Sequence, residues 1–432
     1  MPTGVPVNRL AFYSRGMRNI TADEVRNEVD EWLRANWDPE LSVREWWRRL
    51  AGSGLAAPML PVEVGGRGYT RDLAAVVHSA LARGGCVGPP LGMGISLVSP
   101  TIAVHGTPEQ KRDLIGEILL GEVSWCQLFS EPNSGSDLAG LQCRAEVDGD
   151  EFVITGQKVW TTGGQFADKG MLLARTNFDA PKHQGITFFA FDMHQPGVEV
   201  RPLREMTGRA MFNEVFISEA RVHRDNIIGG LHNGWAVANT TLMFERASIG
   251  SGGGGNFGVA IPGTVAKQLE RRVGDFVTSR PSTAAGSVGS GIVKQFTELA
   301  RARGILDDAV VRQGIAELYV LTEVNKLNVL RARSGQNLTG VEGNLAKMLM
   351  THTLRRTRDI GSAILGPGAV LWGEDAPTGG ALQEMVVYSP APAIYGGTDQ
   401  VQRNIVGERG LGLPKEPGDF RTVPFRDLPK NG

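Results

Sequence analysis

The sequence predicts an α+β fold in which two helical regions flank a central antiparallel β-barrel or sheet. Three observations predict it. Helix-start signals crowd the first third of the chain. After Gly121 come short β-branched and apolar runs separated by Gly, Pro and Asn. From Trp235 long helical periodicities return and dominate. No helical pattern alternates with the strand-like runs, which argues against βαβ units and a parallel sheet. The expected divisions are a helical region over 1–123, a β region over 124–234 and a helical bundle over 235–432.

In the first region, Thr21-Ala-Asp-Glu24 is a capping box followed by Val25, Val29, Trp32 and Leu33 at helical spacing. Ser42-Val-Arg-Glu45 repeats the pattern ahead of Trp46 and Leu50, and Thr107-Pro-Glu-Gln110 adds a proline at the first helical position. The Trp32, Trp37, Trp46 and Trp47 group belongs to a core or an interface. In the β region, Arg144–Val147 and Phe152–Thr155 flank an Asp-Gly turn signal. Gly170–Arg175, Ile186–Met193, Val198–Leu203 and Asn213–Val222 are further strand candidates. In the last region, 307–333 and 342–365 are long and periodic. Between them and Trp235, 251–291 reads as an insertion with linker composition, carrying one basic helix around Lys267–Val277.

Bulk properties exclude several functions. The net charge of −1 over 432 residues gives no electrostatic case for binding nucleic acid. Cys86, Cys126 and Cys143 share no metal-binding or redox spacing and read as reduced, buried thiols. The seven histidines likewise lack metal spacing, so no metal is expected. Gly250–Gly255 formally matches G-x-G-x-x-G but follows a helix and lacks the acidic partner of a dinucleotide site. No apolar run has membrane-span length and the N-terminal stretch lacks a signal-like core, so a cytoplasmic location is expected.

Three segments carry chemistry. Ser130-Glu-Pro-Asn-Ser-Gly-Ser-Asp137 is a loop of small hydroxyl and Gly residues after a short apolar strand, able to offer donors to a phosphate or a flavin ring. Gly156-Gln-Lys-Val-Trp-Thr-Thr162-Gly163 places a Trp between polar residues at a strand end. Ile394-Tyr-Gly-Gly-Thr-Asp-Gln400-Val-Gln-Arg403 opens a helix at Thr398. In order and spacing these resemble the T-E-P-x-A-G-S-D, G-x-K-x-W-I-T-N/S-G and I-Y-E-G-T-x-x-I-Q-R segments of the acyl-CoA dehydrogenase family, and the resemblance covers nearly the whole chain.

That resemblance implies FAD as the cofactor, held by Phe129, Ser130, Ser136, Trp160, Thr161, Thr162, Gly366, Thr398 and Gln400. It implies an acyl-CoA substrate contacted by Ser136, Arg246, Tyr395 and Gly397. The expected reaction is α,β-dehydrogenation to the trans-2-enoyl-CoA, as in fatty acid β-oxidation. Partners would be an electron-transfer flavoprotein and further copies of the chain in a dimer or tetramer, with a heteromer as an alternative. The commonest members place the catalytic glutamate directly after the Tyr of I-Y-E-G, where this chain has Gly396. A minority carry it in an E-R dipeptide on a helix of the C-terminal half. Here Leu242-Met-Phe-Glu245-Arg246 matches, which implies Glu245 as the base, with the backbone N–H of Gly396 retained as a donor to the thioester carbonyl.

Two departures bear on the cofactor. The R-x-x-F-G segment, whose Arg reaches the flavin pyrophosphate from a neighbouring subunit, is not evident. The Q-x-x-G-G element reads Ala363-Ile-Leu-Gly366-Pro367. The rival readings are an oxygen-using monooxygenase or oxidase on the same fold, and a flavin-poor partner subunit of a mixed assembly.

Overall fold

The computed structural model describes residues 20–250, 268–277, 291–334, 338–373, 376–415 and 422–429. The first region holds α1 (Ala22–Asn36), α2 (Val43–Ser53), α3 (Arg71–Arg83), α4 (Ser99–His105) and α5 (Pro108–Leu119). Both halves of the capping box form at Thr21/Glu24 and at Thr107/Gln110. At α2 only one half forms: the Ser42 hydroxyl accepts from Glu45 N–H, while the Glu45 carboxylate turns to Arg48 and Arg49. The indoles of Trp46 and Trp47 are fully buried and donate to the carbonyls of Val87 and Gly88 at 2.7 and 2.9 Å, which ties α2 to the segment after α3.

The second region is a curled sheet of β1 (Trp125–Leu128), β2 (Arg144–Asp148), β3 (Glu151–Lys158), β4 (Lys169–Arg175), β5 (Ile186–Asp192), β6 (Val198–Leu203) and β7 (Phe212–His223). The path runs β1-β4-β2-β3-β7-β6, with β5 also paired to β4. The pairs β2–β3, β3–β7, β4–β5 and β6–β7 are antiparallel as expected, but β1 and β2 lie parallel to β4, so the sheet is mixed. The β2–β3 hairpin lies between β1 and β4 in the chain and returns it in the same direction. The unbroken apolar runs of β4 and β5 follow from burial on both faces. Met171, Leu173, Phe188 and Ala190 join the core shared with the helices of the first region, while Leu172, Ala174, Phe189 and Phe191 fill the inside of the curl.

The third region comprises α6 (Gly234–Gly250), α7 (Gly291–Ala302), α8 (Ala309–Ser334), α9 (Glu342–Leu365), α10 (Ala381–Tyr388) and α11 (Asp399–Ile405). Phe296, Leu318, Ile360 and Ile364 form its own core. The basic helix expected around Lys267–Val277 is not seen in its described part, 268–277, which is a turn followed by a 3-10 segment, Val273–Phe276. Its backbone groups are engaged elsewhere: Leu269 and Arg271 carbonyls accept from Arg44 and Val43 N–H, and Val273 N–H donates to Leu41. Residues 251–267 and 278–290 of the expected insertion lie outside the described residues, Ser251–Gly255 of the glycine-rich run among them, and Gly291 opens α7.

Candidate active site

The first two sequence segments are joined by a buried ion pair that sequence reasoning missed. Lys158 Nζ donates to Glu131 Oε1 at 2.8 Å and to the Phe129 carbonyl at 3.2 Å, with Lys158 fully enclosed. Glu131 also accepts from the N–H groups of Gln142 and Cys143 at 2.7 and 2.9 Å. A buried charge is tolerated only when it is paired and its remaining lone pairs are satisfied, and here both conditions hold. The signal was present as the Glu of one segment and the Lys of the other. With Val159 N–H donating to the Ser130 carbonyl, this pair fixes the loop after β1 against the end of β3. Ser130 is left half-buried and Ser136 exposed. Phe129 points inward onto Phe188 (ring centroids 6.1 Å apart), so it meets the core with its side chain.

Just past β3, Trp160 adopts a left-handed backbone, φ 60°, and is 62% exposed, with one edge against Phe212 at 5.9 Å. A non-glycine residue in this region is uncommon and tends to mark a functional position. Thr161 turns into the protein, exchanging backbone and amide hydrogen bonds with Asn213, and its hydroxyl is buried without a hydrogen-bond partner among the described residues. Thr162 is half-buried. An uncovered indole beside hydroxyl-bearing residues suits a flat, hydrogen-bonding ring, so these residues fit the isoalloxazine of FAD.

The third segment is set by buried polar residues of α9. Gly396 and Gly397 have φ of 62° and 81°, a conformation that suits glycine and strains other residues. Their carbonyls accept from Gln402 Nε2 at 2.7 and 3.4 Å, and Gln402 in turn accepts from Asn344 at 2.6 Å. Asp399 pairs with fully buried Lys347 at 3.2 Å and with Arg355 at 3.3 Å. Burial lowers the Lys347 pKa, and Asp399 opposes that shift. Thr398 caps α11 by accepting from Val401 N–H. Gln400 faces solvent and Gln402 is enclosed, so the clamp is made by the glutamine that sequence reasoning passed over. Asn344, Lys347 and Thr351 lie on one face of α9, whose buried residues also include Thr353 and Thr357 beside Leu354, Ile360, Ile364 and Leu365. Tyr395 is half-buried and accepts from the Tyr388 hydroxyl at 3.0 Å; burial raises its pKa well above the ordinary value. Gly366 ends α9, exposed.

Glu245 lies on α6. That helix is held on α4 by His105–Thr240 and Thr101–Thr241 contacts at 2.8 and 3.1 Å. Its first residue sits so close to the Thr187–Phe188 backbone that a Cβ on Gly234 would lie 2.5 Å from it. Glu245 accepts a long hydrogen bond, 3.5 Å, from Gln127 of β1, two residues before Phe129. The carboxylate therefore lies at the end of the sheet that carries the Ser130–Asp137 loop. Burial raises its pKa above the ordinary glutamate value, against smaller lowering effects from Gln127 and Arg246. Desolvation also lowers the pKa of Arg246, which lies against Gly343 of α9. Glu214 instead takes a hydrogen bond from Gln157 at 2.9 Å and Glu205 one from Met211 N–H at 2.9 Å; both lie in the sheet region with partners of their own.

Sequence models match the acyl-CoA dehydrogenase N-terminal domain over residues 13–122, the middle domain over 126–219 and the C-terminal domain over 274–411. Acyl-CoA dehydrogenase IpdE1 of Mycobacterium tuberculosis is 31% identical over 91% of this chain and 98% of its own length. Among solved structures, a protein described as "Tcur3481-Tcur3483 steroid ACAD" superposes with a TM-score of 0.69 at 25% identity, covering 91% of this chain and 98% of that one. The ChsE4-ChsE5 complex from Mycobacterium tuberculosis gives a TM-score of 0.67 at 26% identity, covering 93% of this chain and 100% of that one.

Proposed function

Because this chain belongs to the acyl-CoA dehydrogenase family, whose cofactor is FAD, we propose that Glu245 is the base that removes the α-proton of its acyl-CoA substrate. One observation carries the reading: Gly396 leaves the commonest position without a carboxylate, and Glu245 is a desolvated carboxylate beside Gln127 at the loop end of the sheet. FAD, when bound, would supply the acceptor for the β-hydride, which carries both electrons, while Glu245 takes the α-proton, so that the product is the trans-2-enoyl-CoA.

The remaining steps belong to the chain's own residues. Trp160 and Thr162 would lie against the flavin, with Thr161 turned into the protein behind them, Ser130, Thr398, Gln400 and Gly366 as further contacts and Phe129 contributing through its backbone. Ser136, Arg246, Tyr395 and Gly397 bind the acyl-CoA. The Gly396 N–H donates to the thioester carbonyl as negative charge builds there. Such a preplaced donor is needed because the α-proton is too weakly acidic for a carboxylate alone. The raised pKa of Glu245 brings it nearer the operating pH, which favours a general base.

The substrate we favour bears a branched, long or ring-containing acyl group. Gly396 frees space beside the reacting carbons, and a structural relative is described as a steroid ACAD. The described residues include no helix long and apolar enough to cross a membrane. An electron-transfer flavoprotein would reoxidise the cofactor. A heteromeric assembly is a second reading, favoured by the absent R-x-x-F-G segment and by relatives whose descriptions name paired chains. The test is reconstitution with FAD and anaerobic mixing with butyryl-CoA, 2-methyl-branched thioesters and bulky ring thioesters. Flavin bleaching by the bulky thioesters is expected. A chain that takes up no FAD alone, but does so with a second subunit, would favour the heteromer.

A further inference from the structure

Arg175, the last residue of β4, has a fully buried side chain. Its guanidinium donates to the carbonyls of Ala139 at 2.7 Å, Leu141 at 3.1 Å and Lys182 at 3.1 Å. Ala139 and Leu141 directly follow the Ser130–Asp137 loop, so Arg175 holds that loop's trailing end. From the neighbouring segment Lys182 pairs with Asp137 at 2.6 Å, gripping the same loop next to Ser136.

The open face of the guanidinium is covered from the far end of the chain. The Phe425 ring lies 3.4 Å from it, centroid to Arg175 Cζ, and is buried against Phe178. The tail is fastened by its own backbone. Phe425 and Arg426 N–H groups donate to Ala180 and Phe178 at 3.0 Å, Pro424 bridges Pro181, and Arg426 pairs with Asp179. Desolvation drops the Arg175 pKa to about 10. A cation drawn out of water this far gains from an aromatic face, because the ring quadrupole replaces part of the lost hydration. Asp137, Gln142, Lys182 and Phe425 line a narrow cleft along the seam.

We propose that the C-terminal segment Pro424–Leu428 is a clasp that holds the Ser130–Asp137 loop in its working position, with Arg175 as the positioning residue between them. The inference rests on the reading of that loop as a cofactor and acyl-CoA contact. It assigns the tail a role in substrate affinity without giving it any contact with the reacting atoms.

The experiment uses the full chain loaded with FAD and compares Phe425→Ala, Phe425→Leu, Phe425→Tyr and a deletion from Pro424 onward, with Ser136→Ala as reference. The clasp predicts that Phe425→Ala and the deletion raise KM for acyl-CoA about three- to tenfold, the scale of one lost aromatic–cation contact, while kcat falls less than about twofold. Phe425→Tyr should restore KM. Phe425→Leu, which keeps bulk without a ring, should not, even where its thermal midpoint matches the parent. If Phe425→Leu and the deletion both keep the parental KM while Ser136→Ala raises it, the clasp is overturned. If Ser136→Ala changes neither KM nor FAD affinity, the loop reading itself fails and takes the clasp's role with it.

Discussion

Replacing Glu245 with Gln alters the proposed reaction at a single atom. The amide keeps the length and volume of the carboxylate, its carbonyl can still accept from Gln127, and the packing of Leu242 and Phe244 against the core is untouched. What disappears is proton-accepting power. Loss of a general base costs about 10²–10⁴-fold in rate, equivalent to roughly 2.7–5.4 kcal/mol of barrier at 1.36 kcal/mol per tenfold. The assay is anaerobic stopped-flow absorbance, following flavin bleaching when acyl-CoA is mixed with the FAD-loaded protein. FAD affinity, measured in parallel, should not change. The parent enzyme adds a pH signature. Burial raises the Glu245 pKa, so the base is protonated and idle at low pH, and the bleaching rate should climb with pH through a midpoint above the ordinary glutamate range. In Glu245→Gln that limb should vanish. A variant that bleaches as fast as the parent, or keeps the same acid limb, would refute the assignment.

Four further outcomes follow from the same structure. The raised Glu245 pKa means that ionising it opposes folding: its contribution to stability is complete below the unfolded pKa and lost as pH rises through the folded one. Glu245→Gln should therefore show a higher thermal midpoint than the parent at neutral pH, measured by circular dichroism. Trp160→Ala should weaken FAD binding in a fluorescence titration yet barely move apoprotein stability, since the indole is 62% exposed. Lys158→Met strands Glu131 as an unpaired buried carboxylate and should cost about 3–5 kcal/mol in urea unfolding. Gly396→Glu, added to Glu245→Gln, must place a side chain at φ 62°; the strain of about 1–2 kcal/mol should lower stability and leave activity unrestored in the bleaching assay.

The sequence by itself determined the order helices, sheet, helices, the three helix starts at Thr21, Ser42 and Thr107, and the approximate strand positions. Each of these is a local matter of periodicity, hydrogen-bonding side chains and turn residues. The three chemical segments were legible for the same reason, being short runs in which backbone and side chain act together, and Gly396 showed at once that the usual base was absent. Tertiary structure decided the rest. It turned the expected antiparallel sheet into a mixed one, because the direction of β1 beside β4 depends on a hairpin inserted between them in the chain. It replaced the helix expected around Lys267–Val277 with a turn and a short 3-10 segment over 268–277, since pairing with residues 41–44 outcompetes the local helical tendency. It brought Gln127 to Glu245, Glu131 to Lys158 and Phe425 to Arg175. Those partners stand far apart in the chain, and a sequence read residue by residue carries no measure of which distant side chains burial will press together. A buried charge or a guanidinium face must find some partner because water has been removed, but only the packed fold determines which one it finds.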